Sequence, residues 1–333
     1  VAAAFAEALP GVELHGATSC GNIIGASTAA ASVACLLFDA PAAFAASYAA
    51  SATEAAAALK AKCAAPAAVL MASVPGSEEA VIAELAKVFP DVPVWGGTAA
   101  DNDLNGSWRI LSDAGAFAGG VSLVAVAKGA LKFGASMLGP YSPTPKVATV
   151  SKAEGRKVFE LDGQPALEWV HEWLGDAVEE AVKSGGLVLP QTASKPVATK
   201  KGELFVPAHL AALHPADKSV DFFSPMADGD ELVVMDSADG PATGYAAALS
   251  EAYDVAKAAG GLGTPKAGLL LYCGGMAIAV GDQLKAGLSD ATFCGKVAGL
   301  PLLGMTVFGE QACMPQPAGN VQRNLSLGML LFE

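Results

Sequence analysis

Between residues 67 and 127 the chain switches between two hydrophobic rhythms. "AAVLMASV" (Ala67 to Val74) is an unbroken apolar run of strand length. "GSEEAVIAELAKVF" follows, with Ser77 as a capping-type residue, Glu78 and Glu79 in the first turn, and apolar positions at helical spacing. "VPVWGGT" returns to a strand and breaks at Gly96-Gly97; a polar loop then leads into another apolar run, "GGVSLVAVAKG". Near-continuous apolar strands suit a sheet that is covered rather than open to water. The unit is strand, helix, strand ending in Gly-x-Thr, loop, strand.

The unit recurs near the C-terminus as "AGLLLYCGG" (Ala267 to Gly275), a helix-like segment through Leu288, "GLPLLGMTVFGE" (Gly299 to Glu310) and "LSLGMLLFE". A partial copy comes first: "LPGVELHGATSCGN" (Leu9 to Asn22) aligns with "FPDVPVWGGTAADN" (Phe89 to Asn102). Its closing strand is expected in "SVACLLFDA" (Ser32 to Ala40). It lacks an opening strand, which reads as truncation at the N-terminus. The aligned threonines are Thr18, Thr98 and Thr306. Such repeats predict an α/β fold of strand–helix–strand–strand units, forming mixed sheets covered by helices in two domains, 1–175 and 176–333.

Between the second and third copies the pattern changes. A turn at Asp162-Gly163 precedes a helix with Leu167, Val170 and Leu174 on its apolar side, and with Trp169 and Trp173 packing on one face. A loop-rich linker is expected at about 186–218. "DGDELVVMDSADG" reads as a strand between two Asp-Gly turns, followed by a helix through Lys257 that stops at "GGLGT" (Gly260 to Thr264).

Composition narrows the function. Of 333 residues 53% are hydrophobic and 16% charged, with a net charge of −13. That field repels phosphate backbones, so nucleic acid is excluded as a partner. Leu14 to Phe38 has no charged side chain, but polar residues interrupt it, so no transmembrane segment is expected. No signal peptide is legible. The chain starts at Val1 and reads as a processed product or fragment, leaving cytoplasm and organelle stroma both open. Six cysteines without a C-x-x-C pair predict reduced thiols, an intracellular setting, and neither zinc nor another cofactor.

Open α/β sheets place ligands at strand carboxyl ends, which directs attention to the Gly-x-Thr loops. Gly96, Gly97 and Gly309 let a backbone approach a ligand. Thr18, Ser19, Thr98, Asn102, Thr306 and Asn324 supply neutral hydrogen-bonding groups. Asp101 and Glu310 are candidates for holding an amino group. The competing reading makes these residues turn formers that bond their own backbone. The loops lack a P-loop lysine and a G-x-G-x-x-G, which argues against nucleotides. Cys273 ends an apolar strand and joins the candidate set, but none of the four histidines partners it in a motif. A catalytic role is therefore not expected.

Four segments together resemble the FIST N-terminal and C-terminal domains in tandem: "HGATSCGNI", "VPVWGGTAADND", "VFELDGQPALEWVHEWLG", and "LLLYCGGM" with "LPLLGMTVFGEQA" and "NLSLGMLLF". The resemblance implies an intracellular sensory or signalling module that binds a small polar ligand, with an amino acid as the leading candidate. Two departures stand out. The family's arginine shortly after the C-terminal cysteine is replaced by Gly274, Gly275 and Met276, and its aromatic-rich turn reads "GMTVFGE". The alternatives are a non-catalytic structural or adaptor subunit docking a protein partner in a larger, organellar assembly and, third, a cysteine-dependent enzyme.

Overall fold

The computed structural model describes residues 2–29, 31–237 and 240–333, with backbone only at 240–243. The two complete units each build a mixed six-stranded sheet. In the first, the order is Gly319–Arg323, Glu310–Met314, Val94–Thr98, Pro66–Ser73, Val121–Ala127 and Phe44–Ala49. Pro66–Ser73 and Val94–Thr98 run parallel because the helix Glu78–Val88 carries the chain back between them. The second sheet repeats the plan. Its order is Phe133–Ala135, Leu327–Phe332, Ala267–Cys273, Leu302–Val307, Asn22–Ile24 and Ser27–Ala29, and Ala267–Cys273 is parallel to Leu302–Val307.

Alternation along the strands divides their side chains between two layers. Leu70, Trp95, Val124 and Val126 of the first sheet pack against Leu271, Val307, Leu330 and Phe332 of the second. The intervening residues Val69, Met71, Val94 and Leu123 face the other way, onto Leu59, Val81 and Leu85 of the helices Ala52–Lys62 and Glu78–Val88. Leu270, Tyr272, Met329 and Leu331 likewise meet Leu249 and Ala252 of the helix Gly240–Ala259. The core is thus four layers, helix, sheet, sheet, helix. Strands apolar on both faces are what such a sandwich requires.

The sheets exchange their edges. Glu310–Met314, late in the chain, pairs with Val94–Thr98, while Asn22–Ile24, early in the chain, pairs with Leu302–Val307. The helix Ala166–Leu174 packs under a nine-stranded third sheet, with Trp169 and Trp173 ring centroids 5.6 Å apart and Lys146 Nζ 5.1 Å above the Trp169 ring. No helix among the described residues is long and apolar enough to cross a membrane.

Three expectations need correcting. Ser32 to Ala40 forms no strand. Its apolar side chains find separate partners: Phe38 joins Phe44 and Phe332 in an aromatic trio, while Val33 and Ala34 border a cavity. The closing strand is Phe44–Ala49 instead. Second, the segment about 186–218 is not loop-rich, since Val197–Lys201, Leu204–Ala208 and Leu210–His214 are strands of the third sheet. The polar stretch that looked like a linker is the tip of a hairpin, turning at Gly202 with φ 63°. Third, Ser77 holds the N-cap position but its side chain makes no capping bond: its hydroxyl donates to the Val74 carbonyl (2.7 Å), while the Glu78 carboxylate accepts from Gly76 N–H (2.7 Å). The Asp-Gly turns at 162–163 and 228–229 are present as left-handed backbone, Asp162 at φ 52° and Gly229 at φ 88°. Of the remaining turn, Asp239 lies outside the described residues.

Candidate functional site

The three Gly-x-Thr strand ends meet in one place. Thr306 N–H donates to the Gly21 carbonyl (2.8 Å) and Cys20 N–H to the Thr306 carbonyl (3.1 Å). Thr98 N–H donates to the Gly309 carbonyl (2.9 Å), and Ala100 N–H to the Thr18 carbonyl (2.9 Å). Backbone bonds of this kind hold the three loops as one rim, because each loop satisfies polar groups that a neighbour leaves open.

Below the rim is a cavity of about 1040 Å³. Thr18, Ser19, Asp101 and Asn102 line it, and so do Cys273, Thr306 and Asn324. Five other candidates are set back from the lining. A Cβ on Gly96 would collide with the Met71 carbonyl of the parallel neighbour strand, and one on Gly97 would lie 2.9 Å from Val307 Cγ1 of the facing sheet. Both glycines serve close packing. The Thr98 hydroxyl is buried, donating to Glu78 Oε1 (3.0 Å) and accepting from Gln311 Nε2 (2.9 Å). Gly309 packs on the Thr98 hydroxyl and Gln322, and Glu310 is fully buried, accepting from Ser326 N–H (3.1 Å).

The charged groups of the lining already have partners. Asp101 closes its own loop, accepting from Leu104 N–H and Ser107 N–H at 2.7 Å each. Arg156, from the hairpin that opens the third sheet, donates to Glu78 Oε2 (3.1 Å) and Glu79 Oε2 (2.9 Å). Burial raises the Glu78 carboxyl above its usual range even so, with Arg156 opposing.

Two buried groups complete the floor. Asn324 is 2% exposed, and its Oδ1 accepts from His209 N–H (3.2 Å) and the Ser224 hydroxyl (2.7 Å). His209 Nε2 lies 3.0 Å from the Thr192 hydroxyl and 3.4 Å from the Leu189 carbonyl. A carbonyl only accepts, so Nε2 carries the proton and Nδ1 a lone pair. Burial lowers the imidazole to about 4, which keeps it neutral. Burial also pushes the Cys20 thiol up to about 11 and the Cys273 thiol well above its usual value, with Glu310 adding to the latter. All six cysteines are free. Among the described residues no cluster of three or more His, Cys, Asp or Glu is placed to hold a metal ion.

Family models match the chain along most of its length, a FIST N domain over residues 1–164 and a FIST C domain over 166–313. The chain is a FIST-domain protein. No curated protein is significantly similar to it in sequence. The junction between the FIST N and FIST C matches falls at Gln164–Pro165, the short strand entering the helix Ala166–Leu174. Asn324 lies beyond the FIST C match. Arg156 and His209 were not singled out from the sequence. The FIST chain has three arginines, and that scarcity was the available signal for Arg156. His209 sits between two strands with no local motif to mark it.

Proposed function

We propose that this FIST protein is a sensory module that binds a small organic ligand in the cavity beneath the three strand ends. The observation that carries the reading is that three sequence-related loops, distant in the chain, border one cavity with hydrogen-bonding side chains on its floor. An amino acid is the candidate that the family resemblance supplies. The reading is non-catalytic: the Cys273 thiol is held protonated by burial, and its sulfur accepts from Leu325 N–H (3.3 Å).

The test is a broad thermal-shift screen with and without Ala34→Trp, which places a large ring in the cavity wall from an irregular segment. A ligand at 100 times its Kd adds about 2.7 kcal/mol to the native state. The expected result is a stabiliser whose effect is lost in Ala34→Trp. A screen without any stabiliser, or a shift indifferent to the tryptophan, overturns the reading.

The adaptor alternative draws on Ile24 and Leu37, 54% and 56% exposed. Contiguous apolar surface left in water suits a protein partner. That reading requires a stoichiometric partner whose binding is lost in Leu37→Asp.

A further inference from the structure

We infer that the cavity takes an uncharged molecule with a long apolar body and one carbonyl or hydroxyl end, rather than an amino acid. The inference rests on the reading of the cavity as the ligand site, and it comes from three features of that site.

The first is size. Pockets of roughly 300 to 1,000 Å³ take drug-sized molecules, and this one, at about 1040 Å³, stands at the top of that range. A free amino acid would leave most of it to water. The second is the chemistry of the walls. Val33, Leu104, Leu187 and Ile278 border the cavity from four separate segments and are 69%, 48%, 59% and 48% exposed. Deeper apolar wall comes from Trp108 and Phe308, in edge-to-face contact with centroids 6.4 Å apart, and from Phe223. An apolar body entering between them removes its own surface and theirs from water.

The third is the state of the polar groups. A zwitterion needs a free cation for its carboxylate and a free anion for its ammonium. Arg156 is held by two glutamates, and both oxygens of Asp101 are occupied by loop N–H groups. What stays open is neutral. Asn324 turns its oxygen to the His209 N–H, which fixes the amide's orientation and leaves Nδ2 as a donor with no protein partner among the described residues. The Thr306 hydroxyl lines the cavity and also has no partner among the described residues. The Nδ1 lone pair of His209 faces the Gly275 wall, where a Cβ would lie 2.9 Å from it. A carbonyl or hydroxyl oxygen would accept from Asn324 Nδ2. Leaving a buried donor unpaired is costly, so the floor selects a ligand end that can pair with it.

The experiment is calorimetric titration of the full chain at pH 7 with 2-hexanone, 2-octanone and 2-decanone, beside decanoate, decylamine and leucine. Affinity for the ketones is expected to rise about three- to fourfold per added methylene. Decanoate and decylamine should bind at least tenfold more weakly than 2-decanone. Asn324→Asp keeps the oxygen that receives the His209 N–H and removes the donor, and should weaken 2-decanone at least tenfold. If that variant does not fold, Thr306→Val, which is close to isosteric, should weaken it severalfold. Affinity independent of chain length, or preference for either charged analogue, overturns the inference. Binding of leucine without the ketones overturns the ligand class and leaves the cavity as the ligand site. Binding of neither overturns the inference, while the cavity reading stands or falls by the thermal-shift screen.

Discussion

Glu310 is fully buried, and burial raises its carboxyl to about 8. Its hairpin neighbour Arg323 is also buried, with its guanidinium lowered to about 10 for the same reason, and Ser326 links the two by hydrogen bonds to each. Between its usual 4.5 and about 8 the folded protein holds a proton on Glu310 that the unfolded chain releases. Its contribution to stability is thus complete below pH 4.5 and is lost as pH rises to about 8, at up to about 1.4 kcal/mol per unit. His15 and His209 act in the opposite sense. Burial lowers both from 6.5 to about 4, so the unfolded chain takes up protons that the native state refuses, and stability falls as pH drops through that window. Two histidines outweigh one carboxyl below 6.5, and the carboxyl acts alone above it. From these three groups stability should peak near pH 6.5. Urea denaturation across pH 4 to 9 checks this, and Glu310→Gln should flatten the alkaline limb. A separate residue-scale expectation concerns Arg156. Arg156→Ala leaves the Glu78 carboxylate, 3% exposed, without its cation and should cost about 2 kcal/mol. Glu79→Ala, at a more exposed position, should cost less than about 1 kcal/mol by chemical denaturation.

At the scale of elements, the repeated glycine has different reasons in each copy. Gly96 lies against a neighbouring strand's backbone, and Gly304 lies where a Cβ would sit 2.7 Å from Ile23 Cβ. At Gly16 the nearest atoms would be side-chain carbons of Leu111 at 3.9 Å, an ordinary contact. Gly96→Ala should therefore cost about 3 kcal/mol or prevent folding, whereas Gly16→Ala should stay within about 0.5 kcal/mol of the parent. Equal costs in paired melting curves would contradict the packing argument. The same elements show what the sequence could carry. The strands around Leu70 and Leu271 were legible because both faces are covered and both read as apolar. The helix Glu78–Val88 was legible from its periodicity, although its cap was not, since Ser77 and Glu78 divide that work differently. Ser32 to Ala40 has the same apolarity as a strand, but composition does not say whether a side chain is buried by a sheet or by separate neighbours. Lys200, Lys201 and Glu203 concealed a hairpin because its tip is polar. In the site, Thr18 and Thr306 came from the repeat. His209 and Arg156 enter the cavity from the third sheet, and nothing near them in the sequence points there.

For the whole molecule, the family boundary is not a boundary of folding. Residues 1–164 alone would lack Glu310–Met314 and Gly319–Arg323, leaving the Val94–Thr98 edge unpaired and Trp95 without the facing sheet. Exposed apolar edges of this kind associate. A fragment 1–164 is expected to be aggregated or unfolded by circular dichroism, and co-expression with 165–333 should restore a soluble complex. Cooperative unfolding of the isolated fragment would show that the exchanged strands are dispensable. The exchange also has a consequence in time. During synthesis, at 5 to 20 residues per second, residues 302–323 follow the first hairpin by roughly 15 to 60 s. Throughout that interval Asn22–Ala29 has no sheet to join and the first sheet keeps an open apolar face. The nascent chain therefore depends on being shielded by something else until its last strands emerge.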